Sequence, residues 1–412
     1  MYLSATRSAQ AGRAKAPPGA AAKVSGTVVA LGVVSLLTDM SAEMVTAVLP
    51  MYLMYGLGLG YLQLGMLDGL YTGATALLRL GGGYAADRLG RPKLVAGAGY
   101  GLSALTKLGF PLAGASMAGI GVMVGIDRLG KGVRTAPRDA LIAASTPPSA
   151  LGRAFGVHRT LDTAGALLGP LLAFALLSTV AGGYDVVFVG SFCLAVAGVL
   201  ALVFFVRAPA VPNRDRRASL RRALRAVTAP AIRRIWLLTG ILGLATVGDM
   251  FLYLAVQQRL GLPPAALPLL PLASALTFML AATPAGRLAD RAGRWRVFVG
   301  GHVLLAGGYL LLAGGVRGWG FAVLVLLLHG LFYACADGVL MAHAGSLLAP
   351  EIRSTGMAVV QTTQALARSA GAVGFGVLAQ TATLGAAFGV AAAVLSAAVA
   401  VGVLVQRRGG AA

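Results

Sequence analysis

Long apolar stretches alternate with short polar ones along almost the whole chain. Twelve stretches reach the roughly 20 residues that a helix needs to cross a bilayer. Lipid offers no partner for backbone N–H and C=O groups, so each stretch should be helical, and all are too long and too evenly apolar for barrel strands. The predicted segments 1 to 12 span residues 25–49, 60–86, 92–116, 117–145, 152–179, 185–207, 234–257, 265–289, 294–315, 319–348, 354–379 and 384–406.

The composition supports an all-α membrane protein. Apolar residues make up 58% of the 412 residues and charged residues 11%, whereas soluble domains carry about 25% charged residues. This excludes a soluble enzyme and a disordered regulator. The two cysteines, Cys193 and Cys335, both lie in apolar segments, so a secreted disulfide scaffold is excluded too.

The net charge of +21 is distributed unevenly between alternate loops. Basic residues flank the segments on the side of both termini, and only Arg259 and Arg317 lie on the other side. This is the positive-inside pattern of a multi-pass protein and not a nucleic-acid-binding stripe. We therefore expect both termini in the cytoplasm, the lipid bilayer as partner and no nucleic acid. By default we also expect a monomer in a bacterial plasma membrane.

The charge pattern also divides the chain. A basic tail at 1–23 precedes a six-helix bundle at 24–207, and a second bundle occupies 234–406 before a short tail at 407–412. Residues 207–234 carry nine Arg and one acid, Asp215. The linker 208–233 should therefore lie at the cytoplasmic surface, near anionic lipid headgroups.

An internal repeat relates the two bundles. The loop after segment 2 reads Gly83-Tyr-Ala-Ala-Asp87-Arg88-Leu-Gly90-Arg91-Pro-Lys93, and the loop after segment 8 reads Gly286-Arg-Leu-Ala-Asp290-Arg291-Ala-Gly293-Arg294-Trp-Arg296. Gly, Asp, Arg, Gly, Arg and a final basic residue recur with a displacement of 203 positions, from Gly83 to Gly286. Two pseudo-symmetric six-helix bundles are a transporter plan.

This doubled loop resembles the signature loop of the major facilitator superfamily. The resemblance implies that fold and a conformational latch formed by Gly83, Asp87, Arg88, Gly90, Arg91, Asp290, Arg291 and Arg294. A carboxylate at a helix end can pair with Arg, or with the N-terminus of a neighbouring helix, in one conformation and release in another. The alternative is a static cytoplasmic ion pair of little energetic value.

Acids inside the apolar segments are the candidate transport residues. A charge at the bilayer centre costs about 2.5–3.5 kcal/mol or more, so it should face a cavity or a partner. The resemblance implies that segments 1, 4, 7 and 10 line a central cavity. These segments carry Asp39, Glu43, Asp127, Asp249 and Asp337.

Asp39 and Glu43 are four residues apart and should share one helix face. Two carboxylates close together in a low dielectric favour one of them holding a proton. The pair is therefore predicted to couple transport to protons. The alternative is that Arg or backbone donors neutralise these acids for packing alone.

Segment 4 carries the matching cations. Arg128 and Lys131 resemble the family's R-x-x-Q-G pattern, with Lys131 in place of Gln, and the resemblance implies proton coupling through Arg128. Arg134 and Arg138 follow nearer the cytoplasm, where we expect their side chains to extend to the lipid headgroups.

Segment 5 resembles the family's antiporter pattern G-x8-G-x3-G-P-x2-G-G. Its residues are Gly156, Gly165, Gly169 and Pro170, with Ala173 and Phe174 in place of the last two glycines. The resemblance implies exchange of substrate for protons. Close helix packing is the alternative explanation for glycines four residues apart.

Together these features predict a secondary active transporter that works by alternating access. The predicted activity is proton-coupled antiport, with efflux of a small drug-like or metabolite-like molecule and the proton gradient in place of a cofactor. The alternative is a proton-coupled importer of an organic solute, a metal chelate or copper. The sequence shows no combination of a nucleophile and a base that would suggest an enzyme. No metal site is predicted, because His329, Cys335, Met341 and His343 do not share a helix face.

Overall fold

The helical pattern is the one that the sequence predicts. The computed structural model describes residues 25–89, 91–147, 151–180, 182–207, 230–347 and 353–409, and all secondary structure in them is helical. The α-helices in these ranges are α1 Gly26–Met51, α2 Tyr61–Leu89, α3 Pro92–Ala113, α4 Met117–Ala144, α5 Leu151–Thr179, α6 Tyr184–Phe205, α7 Pro230–Leu244, α8 Asp249–Leu260, α9 Leu270–Ala292, α10 Arg294–Ala313, α11 Trp319–Leu347, α12 Arg353–Thr381 and α13 Leu384–Gly409.

Each predicted segment coincides with helical structure, segment 7 with two helices, and eight helical stretches in the described residues are long and apolar enough to cross a membrane. The other four segments coincide with α2, α3, α4 and α12, which contain 22 to 29 residues. The predicted basic tail and most of the Arg-rich linker lie outside the described residues. The eight stretches are Gly26–Gly56, Ala154–Thr179, Tyr184–Phe205, Ile235–Leu260, Pro264–Ala292, Arg294–Ala313, Trp319–Ala344 and Leu384–Leu404.

The helices pack into two similar halves, α1–α6 and α7–α13. In the first half α1 packs against α5 and α6, and α4 packs against α2 and α3. In the second half α12 packs against α7, and α11 packs against α9 and α10. Buried apolar side chains from both halves form a shared core, and a second, smaller cluster lies within the first half.

The internal repeat extends to the closest backbone contacts in each half. A Cβ atom added to Gly165 on α5 would lie 2.3 Å from the carbonyl oxygen of Leu36 on α1. In the second half, a Cβ on Gly371 of α12 would lie 2.4 Å from the carbonyl oxygen of Leu244 on α7. Both positions therefore require glycine, and equivalent helix pairs touch at equivalent places.

The two halves meet along α2 and α12 through small residues. A Cβ on Gly65 would lie 2.5 Å from the carbonyl oxygen of Ala372, and one on Gly69 would lie 2.8 Å from that of Ser369. The Ser369 hydroxyl donates a hydrogen bond to the carbonyl of Gly69. Small residues allow two helix backbones to approach this closely. The contact lies in the first half of α2, on the side opposite the predicted cytoplasm.

Segment 7 is broken in the middle, where the sequence predicts a continuous helix over 234–257. Helix α7 ends at Leu244 and α8 begins at Asp249, so the prediction is wrong at 245–248. Breaks in membrane helices persist where other groups satisfy the freed backbone. Here the N–H of Val247 donates to the Tyr309 hydroxyl at 2.8 Å. The break places Asp249 at a helix N-terminus in mid-membrane, where a negative charge is favoured.

Candidate functional site

Asp39 lies on α1 opposite α4. Its carboxylate accepts a hydrogen bond from Arg134 at 3.2 Å, and the residue is 8% exposed. The Arg134 guanidinium also lies over the Tyr100 ring, 4.5 Å from its centroid. Arg134 is buried, so the expectation that it extends to the lipid headgroups is wrong, because a buried carboxylate on α1 faces it.

A polar cluster continues from Asp39 to α5. The carboxyl groups of Asp39 and Asp162 are near enough to influence each other electrostatically. Arg138 lies 3.6 Å from Asp162 and 3.4 Å from the Ser35 hydroxyl, so it too points into the protein. Ser35 in turn bonds His158 at 2.8 Å. The Asp162 oxygen in this ion pair, Oδ1, is buried and accepts no hydrogen bond among the described residues.

Glu43 lies one turn beyond Asp39 on α1, and its carboxylate is 4.0 Å from the Lys131 ammonium. Each of these two side chains is 28% exposed. Arg128 stacks over the Tyr71 ring of α2 at 3.9 Å. The Glu43–Lys131 pair is therefore more accessible than the buried Asp39–Arg134 pair.

Asp127 faces α3. Its carboxylate binds Lys107 and Arg128 and accepts a hydrogen bond from Ser103 at 2.5 Å. Asp127 is 5% exposed and Lys107 1% exposed. This buried network gives Asp127 a packing role, and its predicted place in a central cavity stays a prediction.

Asp249 is the centre of a second polar cluster, in the other half. Its carboxylate accepts hydrogen bonds from Tyr333 at 2.6 Å, from His329 at 3.2 Å and from Arg368 at 3.4 Å. Arg368 also binds the Tyr333 hydroxyl. The Asp249 side chain is 36% exposed. Asp337 lies one turn after Tyr333 on α11; its side chain is exposed and interacts electrostatically with Arg368.

The two clusters are built alike. Asp39 and Asp249 each lie on the first predicted segment of their half. Arg134 and Asp162 reach Asp39 from the fourth and fifth segments of that half. Tyr333 and Arg368 reach Asp249 from the tenth and eleventh, the equivalent segments. The repeat thus places an acid and its partners at matching sites on either side of the interface between the halves.

The sequence-based predictions do not include the partners of these acids. Arg368 is the basic residue inside segment 11, and Lys107 is the one in the interior of segment 3, whereas Lys93 lies at the start of that segment. The rule that singles out buried acids applies to them equally, because a charge in an apolar segment needs a partner. Tyr333 and Asp162 carry no comparable signal, since Tyr is common in membrane helices and Asp162 lies near other charges.

The predicted latch is described only in its second copy. Arg294 pairs with Asp290 at 3.1 Å and donates to the carbonyl of Ala342 on α11. The Asp290 side chain is 66% exposed and Arg291 is exposed. In the first copy Arg91 is exposed, while Gly90 and the side chains of Gly83, Asp87 and Arg88 lie outside the described residues.

We expect Asp290→Asn to change stability by less than about 0.5 kcal/mol, because an exposed pair four residues apart is worth little. Asp87→Asn should reduce transport strongly and leave membrane insertion unchanged. Initial transport rates and membrane yields of the two variants, measured side by side, check this. Parent-like transport by Asp87→Asn would mean that the loop is a static ion pair.

The glycines of the antiporter-like pattern differ in their surroundings. A Cβ on Gly169 would lie 2.6 Å from the carbonyl oxygen of Met40, and Gly165 touches Leu36 as described above. Gly156 has nothing within 4 Å. Pro170 lies inside α5. Close packing of α5 on α1 accounts for two of the glycines, and the implied antiport stays a prediction.

A metal site was not predicted. Among the described residues no three His, Cys, Asp or Glu side chains are arranged to hold a metal ion. His329 is engaged by Asp249 and by the hydroxyl of Ser274 at 3.2 Å.

Known proteins match this chain over most of its length. The family model of the Major Facilitator Superfamily matches residues 31–372 and 250–411. An uncharacterized MFS-type transporter of Methanocaldococcus jannaschii is 30% identical over 356 residues, which cover 84% of this chain and 86% of that protein.

Solved structures share the fold. The nucleoside transporter NupG superposes with a TM-score of 0.78 at 15% identity, covering 92% of this chain and 98% of its own. A POT family transporter in complex with 5-aminolevulinic acid gives a TM-score of 0.76 at 13% identity, covering 92% and 95%. At these identities the likeness establishes the fold alone. The family match and the shared fold together show that the chain is a multi-pass membrane protein that belongs to the major facilitator superfamily of transporters.

Proposed function

We propose that this chain exports a small polar organic molecule across the plasma membrane by alternating access, in exchange for protons. Both termini are cytoplasmic in this proposal, and the two halves rock about a site between the clusters of Asp39 and Asp249. No cofactor is required, because the proton gradient supplies the free energy.

The observation that carries proton coupling is the proximity of the Asp39 and Asp162 carboxyl groups. They influence each other electrostatically, Arg134 pairs with Asp39, and the buried Oδ1 of Asp162 lacks a hydrogen-bond donor among the described residues, although Arg138 forms an ion pair with it at 3.6 Å. A single proton shared by the pair would supply that donor. Such pairs take up and release protons as a unit. Binding and release would change the charge where α1 meets α5.

The accessible charges support a polar substrate. Glu43 and Lys131 are partly exposed in the first half, as are Asp249 and Arg368 in the second. Each half thus offers one charge of each sign, and a few well-placed polar groups are what fix a ligand's orientation in a pocket. Nucleosides and 5-aminolevulinic acid, named with two structural neighbours, are of this chemical class.

Transport in everted membrane vesicles tests the proposal. With an acidic interior, vesicles containing the protein should accumulate at least one polar compound of a panel, and dissipating the pH gradient should stop this. Accumulation in right-side-out vesicles driven by an acidic exterior would instead favour the importer. No gradient-dependent movement of any compound in either orientation would contradict proton coupling.

Asp39→Asn should abolish substrate-induced proton release from the purified protein and leave gradient-independent exchange of substrate intact. The reason is that the amide keeps the shape of a protonated acid but cannot lose a proton. Asp162→Asn should behave in the same way. Asp185→Asn, at an exposed position at the start of α6, is the matched control. Parent-like proton release by Asp39→Asn would move the carrier elsewhere, with Asp249 as the next candidate.

A further inference from the structure

A third buried acid lies in the interface between the halves. Asp68 is on α2, between Gly65 and Gly69, and is 8% exposed. A Cβ added to Gly248 would lie 1.8 Å from the Asp68 carboxylate oxygen Oδ2. The carboxylate of one half therefore rests directly on the broken backbone of segment 7 in the other half.

Among the described residues, the cations near Asp68 are already paired with other carboxylates. Within the described part of the chain, its carboxylate has no ion pair and no hydrogen-bond donor; the charges that act on it are those of Asp249 and Arg368. Arg368 already binds Asp249 and Tyr333. The carboxylates of Asp249 and Asp68 thus both lie near Arg368, and Arg368 is paired with Asp249.

In the described parts of the other helices packed against α2, the nearby cations are also engaged. From α4, Arg128 stacks on Tyr71 and binds Asp127. From α3, Lys107 binds the same Asp127 carboxylate. Among the described residues, each cation near this part of α2 therefore has a carboxylate partner other than Asp68.

We propose that Asp68 is a proton-binding site whose occupancy depends on the contact between α2 and the region formed by α12 and residues 245–248. When the halves close on this side, an ionised Asp68 would be buried without a cation beside another carboxylate, which is costly. A protonated Asp68 is neutral and fits. When the halves separate, water reaches the carboxylate and the proton leaves.

In this proposal, protonation of Asp68 is coupled directly to the closing and opening of the two halves. Asp39 and Asp162 both lie within one half, so their protonation does not depend directly on the position of the other half. Asp68 touches the other half at Gly248, so its protonation favours the conformation that is closed on this side. The inference rests on alternating access as proposed above, and it does not depend on antiport, export or the identity of a substrate.

A distance measurement across this side of the membrane tests the proposal. Spin labels at Ala115→Cys and Val316→Cys, in exposed loops of the two halves, would report the separation in the full chain in liposomes, with Cys193 and Cys335 replaced by alanine. Between pH 8.5 and 5.5 the ratio of short to long distances should rise, by up to about tenfold per pH unit, the limit for one proton.

Two variants should move the distances in opposite directions. Asp68→Asn mimics the protonated acid and should give short distances at every pH. Gly248→Ala places a methyl group where the carboxylate lies and should give long distances at every pH. Gly374→Ala, on α12 with nothing within 4 Å, is the matched control and should keep the pH dependence of the parent.

Several results would overturn the proposal. One is a distance distribution of the parent that does not change with pH; another is an Asp68→Asn variant that still follows the pH dependence of the parent. A shift produced by sodium at constant pH would make the ligand a metal cation instead of a proton. The measurement needs no substrate, so failure to find transported compounds would contradict the proposed function and leave this inference standing.

Discussion

Gly165→Ala should leave little folded protein in the membrane. The added methyl carbon would lie 2.3 Å from the carbonyl oxygen of Leu36 and 2.9 Å from its Cα. Both atoms belong to the backbone of α1, which cannot relieve the clash by changing rotamer as a side chain can. Overpacking of this kind costs about 3 kcal/mol or more where the backbone must move. The yield of monodisperse protein after detergent extraction, and its melting temperature, measure the loss.

Gly156→Ala is the matched control on the same helix. Gly156 is exposed with nothing within 4 Å, and alanine is the better helix former, so stability should stay within about 0.5 kcal/mol of the parent or rise slightly. Gly371→Ala should repeat the loss in the second half, because its methyl would meet the carbonyl of Leu244. Parent-like melting of Gly165→Ala would contradict the contact between α1 and α5.

The same pair of variants separates the two explanations of the antiporter-like pattern. If Gly165 serves packing alone, loss of transport should follow loss of folded protein. A Gly165→Ala variant that folds and exchanges substrate but no longer releases protons would give the pattern a coupling role. The contact geometry alone accounts for Gly165 and Gly169 through packing.

Most of the helical architecture could be predicted because the bilayer constrains it. Twelve apolar stretches of sufficient length gave twelve segments whose ends agree with the helices to within a few residues. The break at 245–248 could not be predicted in this way, since its glycine, Gly248, is one of many in the apolar segments, and Gly165 and Gly371 lie in helices that continue past them. What permits the break is the Tyr309 hydroxyl, a group 62 residues away in the chain that accepts the freed N–H of Val247.

The acids of the candidate site could be predicted from the sequence, but the residues that pair with them could not. Asp39 and Asp249 stand out because charge is rare in apolar segments. Which partner each acid takes depends on the rotation of the helices about their axes, and packing sets that rotation. Asp127 shows the difficulty: Lys131, one turn away, is the charged neighbour that sequence suggests, and the carboxylate instead turns to Lys107 on α3.

Lys107→Met should be strongly destabilising. Lys107 is 1% exposed, and its ammonium group binds the Asp127 carboxylate inside the protein. Removing one member of a buried pair leaves the other charge without compensation, which costs about 3–5 kcal/mol. Arg128 still binds Asp127, so the lower part of that range is expected. Lys93→Met, at a lysine near the membrane surface that donates to the carbonyl of Val203, should cost less than about 1 kcal/mol.

Asp127→Asn should cost more, because it leaves both Lys107 and Arg128 buried without their carboxylate, and Lys107→Met in the same chain should restore part of that stability. The double variant buries only Arg128, over the Tyr71 ring, so the coupling energy of the two substitutions should reach about 2 kcal/mol. Melting temperatures of the parent, both single variants and the double variant give this energy. Transport by the double variant then separates the two roles of Asp127. Restored transport assigns it to packing, whereas a stable protein without transport supports the predicted role in the central cavity.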